Sequence, residues 1–119
     1  MRALGMESGA IANSQLSASS EFNVHHSRFR ARLHTKEISA YARGAWSSLL
    51  TDLNQWIQVD FGKIKIVTHI GTQGRNALSP AQYVTKYKLQ YSENGTTFWF
   101  YKKEGQSSDA VSSFPWSHL

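Results

Sequence analysis

From Ser27 to His34 the chain runs SRFRARLH, and apolar and basic positions alternate strictly, with Phe29, Ala31 and Leu33 on one side and Arg28, Arg30, Arg32 and His34 on the other. A period of two marks a half-buried strand, so residues 28–34 are expected to form one. The alternation returns in QWIQVDF (Gln55–Phe61), where Ile57, Val59 and Phe61 face one way, Trp56, Gln58 and Asp60 the other, and Gly62 ends the run. Lys63–Thr72 carries Ile64, Ile66, Val67 and Ile70. The step at Ile66–Val67 breaks the alternation, which predicts a bulge or burial on both faces.

Tyr83–Lys102 predicts a hairpin, because Asn94-Gly95 suits a two-residue turn with positive φ at both positions. Setting Glu93 opposite Thr96 places Tyr91 against Phe98 and Leu89 against Phe100 on the core face. Gln90 then pairs with Trp99 and Lys88 with Tyr101 on the other face. The remaining segments are irregular. Ser8–Ser20 is a small, polar, extended or turn-rich lead-in with isolated Ile11 and Leu16, and Glu37–Ser48 is a loop anchored by Trp46. Gly71–Gln82 is a turn-rich connector long enough to suggest a functional loop. Past Gly105 the chain turns Ser-rich and reads as a tail.

Composition narrows the class. At 119 residues, 40% hydrophobic and only 18% charged, the chain has the size of one domain and is expected to pack a core. Its Trp, Tyr and Phe mixed with Val, Ile and Thr lean towards β structure. No cysteine is present, which removes disulfides, thiolate metal sites and a cysteine nucleophile. A net charge of +5 favours anionic partners. No apolar stretch reaches the length of a membrane span, and no export signal is visible in this chain.

Catalytic signatures are missing: there is no G-x-S-x-G, H-E-x-x-H, P-loop or G-x-G-x-x-G, so a binding role is favoured over an enzyme. His25, His26, His34, His69 and His118 are expected as solvated loop histidines rather than metal ligands, and no metal or cofactor is implied. Arg28, Arg30, Arg32, Lys63, Lys65, Lys86 and Lys88 recur at spacing two and are expected on solvent-facing sides of strands. Nucleic acid is disfavoured as a partner because the aromatics that would stack on bases belong to the expected core. Asn94-Gly95-Thr96 is also an N-glycosylation sequon, which a hairpin tip would expose.

Five blocks taken together, LGMESGAIANSQLSASS (Leu4–Ser20), FRARLH (Phe29–His34), QWIQVDFG (Gln55–Gly62), VTHIGTQGR (Val67–Arg75) and YVTKYKLQYSENG (Tyr83–Gly95), strongly resemble the discoidin domain, also called the coagulation factor V/VIII type C domain. The resemblance implies an all-β fold, a jelly-roll β-sandwich of the galactose-binding-domain-like type, in an extracellular adhesion or surface-recognition module without catalysis. It places a partial discoidin domain at residues 1–106 and a Ser-rich divergent tail at 107–119, with the sandwich incomplete at its C-terminal end. The missing strands are expected from the rest of a larger protein. The family's disulfide needs a cysteine three residues before the LGME motif, where this chain has Met1.

By the same resemblance, three spike loops at one end of the sandwich carry the ligand site: Glu21–Ser27, Ser39–Trp46 and Arg75–Gln82. Their residues here are Phe22 and Val24 in the first, Tyr41 and Arg43 in the second, and Arg75, Asn76 and Leu78 in the third. The favoured partner is a cell-surface glycan or protein, for which Tyr41 and Asn76 offer a platform. An anionic phosphatidylserine membrane is the alternative, and needs Val24 and Leu78 exposed together. A structural fragment without its own ligand is the third reading.

Overall fold

The computed structural model describes residues 2–75, 82–113 and 116–118. It divides into two compact units, Met1–Lys63 with Gly74–Gln82 and Ile64–Gln73 with Tyr83–Leu119. Among the described residues the regular elements are short strands and single turns of 3-10 helix, which makes the fold all-β as expected.

In the first unit β1 (Leu16–Ala18) and β2 (Ile57–Val59) pair antiparallel, with Leu16 opposite Val59 and Ala18 opposite Ile57. Gln15, the last residue of a 3-10 turn at Asn13–Gln15, extends the ladder: its N–H donates to Ala12 O at 3.0 Å, its carbonyl accepts from Asp60 N at 2.8 Å, and its Nε2 donates to Asp60 O at 2.7 Å. The side chains of Ile11 and Leu16 are buried here. Gly5 lies at φ +119°, and a Cβ added there would stand 2.7 Å from Ala10 Cβ, so only glycine lets the lead-in close over Ile11.

Among the described residues the second unit holds three antiparallel pairs. β3 (His69–Gly71) pairs with β8 (Trp116–His118), β4 (Lys86–Lys88) with β7 (Val111–Ser113), and β5 (Gln90–Tyr91) with β6 (Trp99–Phe100). The segment read from sequence as a Ser-rich tail therefore supplies two strands. Its serines are compatible with this because an antiparallel strand with a solvated face needs few apolar side chains.

Several expectations are corrected. Residues 28–34 are no strand: Arg28–Arg30 form a 3-10 turn, with Arg30 N donating to Ser27 O at 2.9 Å and Ala31 N to Arg28 O at 3.1 Å. The arginines there do not form a solvated face. Arg28 Nε donates to Leu16 O at 3.0 Å, Arg30 Nε to Arg43 O at 2.6 Å and Arg32 Nη1 to Met6 O at 2.8 Å. Irregular backbone leaves carbonyls without ladder partners, and a long guanidinium with five donors can reach several of them. Alternation of such residues therefore mimics a strand without being one.

The hairpin stands, but its register is shifted by one residue: Tyr91 faces Trp99 and Gln90 faces Phe100. Of Asn94 and Gly95, only Gly95 takes positive φ, so the two-residue turn is not made. Side chains build a longer loop instead. Ser92 Oγ accepts from Asn94 N at 3.2 Å and Gly95 N at 2.9 Å, while Asn94 Oδ1 accepts from Thr96 N and Thr97 N, both at 2.9 Å.

The expected core is small, since two-stranded ladders leave both faces largely open and no described side chain is fully enclosed. Lys63–Thr72 is strand only at His69–Gly71, and Ile64 and Ile66 are exposed rather than buried on both faces.

Candidate functional site

The first unit brings the predicted loops together from the backbone upwards. In the first loop, Asn23 caps a 3-10 turn at Val24–His26, its Oδ1 accepting from His25 N at 2.9 Å. The turn lifts Val24 outward and leaves the carbonyls of His25 and His26 facing the second loop. Arg43 N donates to His25 O at 3.1 Å, Ser47 N to His26 O at 3.3 Å, and Phe22 N returns a bond to Ser47 O at 2.7 Å. Two loops far apart in sequence are thus stitched by main-chain bonds.

Side chains reinforce the seam. His25 Nδ1 lies 3.2 Å from Tyr41 O, and the two rings meet edge to face at 5.2 Å. Phe22 meets His26 in the same manner at 5.6 Å. Trp46, half-buried, donates its indole N–H to Ser20 O at 2.9 Å, which ties the end of the second loop to the start of the first. Tyr41 N donates to Ser39 Oγ at 3.0 Å in a tight turn closed by the Ser39–Ala42 bridge.

Glu37 organises the charged groups. Its Oε1 accepts from Arg75 Nε at 2.9 Å and lies 2.8 Å from Arg75 Nη2, and its Oε2 lies 3.4 Å from Arg43 Nη1. Burial works to raise the Glu37 pKa, but the Arg75 hydrogen bond, the Gly44 N–H and both guanidinium charges outweigh it and hold the carboxyl below its ordinary range. Arg75 also donates from Nη1 to Gln82 Oε1 at 2.9 Å, and its own N–H goes to Gln82 O at 2.8 Å. The third loop is thereby closed at its base and tied to the second.

His26 is buried beneath this seam, its Nδ1 3.2 Å from Ser47 Oγ. Its pKa is lowered, first by desolvation and then by the charges of Arg75 and Arg43, against the Ala45 backbone and Glu37. The expectation of solvated loop histidines fails at His26, because the chain folds its imidazole under the first loop.

Large apolar side chains remain outward beside the exposed Asn23, Lys36 and Ser39. Phe22 is 57% exposed, Val24 79%, Ile38 76% and Tyr41 78%. Of the basic candidates, Arg43 keeps a third of its side chain exposed, whereas Arg75 keeps 10% and is occupied by Glu37 and Gln82. Asn76 and Leu78 lie outside the described residues. Among the described residues no group of three His, Asp or Glu side chains converges to hold a metal ion.

The profile of the F5/8 type C domain matches residues 15–117. This chain belongs to the discoidin, or F5/8 type C, domain family. Its all-β strands are accordingly those of a discoidin jelly roll, as the five sequence blocks imply. Among similar proteins, coagulation factor V of Sus scrofa is 40% identical over 113 residues, covering 91% of this chain and 5% of that protein. Neuropilin-1 of Homo sapiens is 39% identical over 107 residues, 88% of this chain and 11% of that protein. Lactadherin of Bos taurus is 39% identical over 113 residues, 91% of this chain and 26% of that protein. The discoidin chain thus spans a small part of the length of each.

Sequence reasoning missed Ile38 and Glu37 as parts of this candidate site, and it missed the packing of His25 and His26, which it had placed in the first loop as solvated residues. Ile38 had a signal, being the single branched aliphatic residue of Glu37–Ser48. Glu37 had none, since its partners Arg43 and Arg75 become neighbours only through folding.

Proposed function

We propose that this chain is an extracellular recognition module, serving cell adhesion or surface recognition without catalysis, and that its first two loops dock on an anionic phospholipid surface. The observation that carries this reading is the exposure of Phe22, Val24, Ile38 and Tyr41 on two loops whose backbones are bonded to one another. Burying an exposed apolar side chain contributes about 1.5–3 kcal/mol when complete, and partial insertion of a few such tips supports reversible attachment. The net charge of +5 and the partly exposed Arg43 favour anionic headgroups. Membership in the discoidin family supports the extracellular assignment. Leu78 and Asn76 of the third loop belong to the same proposal.

A glycan or protein ligand is the second reading, favoured by the exposed Tyr41 ring held against the His25 edge. The test is co-sedimentation with phosphatidylserine and phosphatidylcholine vesicles across a salt series, on protein whose aromatics are packed by near-ultraviolet circular dichroism. Phosphatidylserine-selective binding that survives high salt is expected, because screening removes charge attraction but leaves apolar insertion. Absence of binding by folded protein overturns the membrane reading in favour of a glycan or protein on Tyr41.

A further inference from the structure

The β5–β6 hairpin of the second unit has two features that the loop site leaves unexplained. One is an exposed aromatic pair: Tyr91 and Trp99 face each other across the ladder, stack at 6.1 Å and 30°, and are 56% and 51% exposed. The other is the Asn94-Gly95-Thr96 sequon in the loop that this pair supports. All three sequon residues are exposed. Asn94 Oδ1 accepts from Ser92 Oγ at 3.1 Å, Thr96 N at 2.9 Å, Thr96 Oγ1 at 3.1 Å and Thr97 N at 2.9 Å. Four donors of the loop converge on the carbonyl oxygen of that amide, which leaves its Nδ2 to outside chemistry. The Thr96 hydroxyl is already turned towards the amide, and this is the hydroxyl the sequon requires.

We propose that Asn94 carries an N-linked glycan whose first sugar covers the Tyr91–Trp99 pair. Tyr91 precedes Asn94 by three residues at the end of β5, a separation that the base of a glycan on the loop can span. A sugar presents flat C–H faces to an aromatic ring and hydroxyls to water, which suits a half-exposed ring on a short hairpin. In the linking step, Asn94 Nδ2 bonds to the anomeric carbon of an oligosaccharide carried on a lipid pyrophosphate. The bond from that carbon to the pyrophosphate oxygen breaks, the pyrophosphate leaves with the electron pair, and Nδ2 loses one proton. The inference rests on the extracellular part of the proposed function, not on the membrane part.

The test translates the full chain behind a cleavable secretory leader in the presence of endoplasmic-reticulum microsomes. A single-glycan mobility shift, removed by peptide N-glycosidase and absent from Asn94→Gln and Thr96→Ala, is expected. Chain that is protected from added protease, hence translocated, yet unshifted overturns the site, whatever the vesicle experiment shows. The contact is read separately by amide exchange at Tyr101, whose N–H donates to Leu89 O at 2.8 Å and closes the hairpin. Exchange is expected to be about two- to tenfold slower with the glycan than in the same chain made without microsomes, a difference kept in Tyr91→Phe and lost in Tyr91→Ser. Equal exchange with and without the glycan overturns the contact.

Discussion

Arg75 grips Glu37 with two guanidinium nitrogens, Nε at 2.9 Å and Nη2 at 2.8 Å, on a single carboxylate oxygen, while the other oxygen turns to Arg43. A residue expected to meet ligand is committed here to Glu37 and Gln82. Arg75→Ala takes from the Glu37 carboxylate the guanidinium that holds it with two nitrogens, and releases the base of the third loop. It is expected to lower the melting temperature and to weaken vesicle binding about two- to thirtyfold, the range for coupling through a packed network. Glu37→Gln, which keeps an acceptor oxygen, is expected to do less, and the two affinities measured side by side check the order.

Val24 and Ile38 test the apolar tip without touching the framework. Each is more than three-quarters exposed, so Val24→Ser and Ile38→Ser should leave the melting temperature unchanged. Each is expected to weaken vesicle binding about tenfold, corresponding to the loss of about 1.4 kcal/mol of apolar contact. Co-sedimentation of both variants at high salt, where headgroup attraction is screened, is the measurement.

Acid should loosen the loop seam in two stages. Burial keeps the folded-state pKa of His26 below the unfolded value of about 6.5, so its contribution is complete above that pH and is lost as pH falls towards the lower folded value. Glu37 follows further into acid, because its carboxyl is also held below its ordinary value and its ion pairs persist until it takes a proton. Melting temperature against pH should fall below about 6.5 and again below the ordinary carboxylate range of about 4.3. His26→Gln is expected to flatten the first decline alone.

The hairpin register can be checked directly. Cross-strand nuclear Overhauser contacts should link Tyr91 with Trp99 and Gln90 with Phe100, following the observed pairing. Ser92→Ala removes the acceptor of two loop N–H groups and is expected to cost about 1 kcal/mol and to raise amide exchange at Asn94 and Gly95.

Much of this architecture is written in local pattern. Period two in Gln55–Phe61 marks β2, and Asn94-Gly95 marks the hairpin loop, because strand pleat and turn conformation depend on neighbouring residues alone. The five sequence blocks carry the discoidin family, and the three loops they delimit include the Phe22, Val24 and Tyr41 tips found exposed. Long-range partners are another matter. Alternating arginines at 28, 30 and 32 look like a strand until the carbonyls of Leu16, Arg43 and Met6 are brought within reach. The hairpin register turned on which oxygens captured the loop N–H groups, a choice between conformations that the residue pattern leaves equally open. Arg75 could be recognised as cationic from its side chain, but its commitment to Glu37 depends on two segments 38 residues apart meeting in space. Chain folding therefore sorted the charged groups into framework and the apolar tips into surface, because a carboxylate and a guanidinium leave water only where each finds the other.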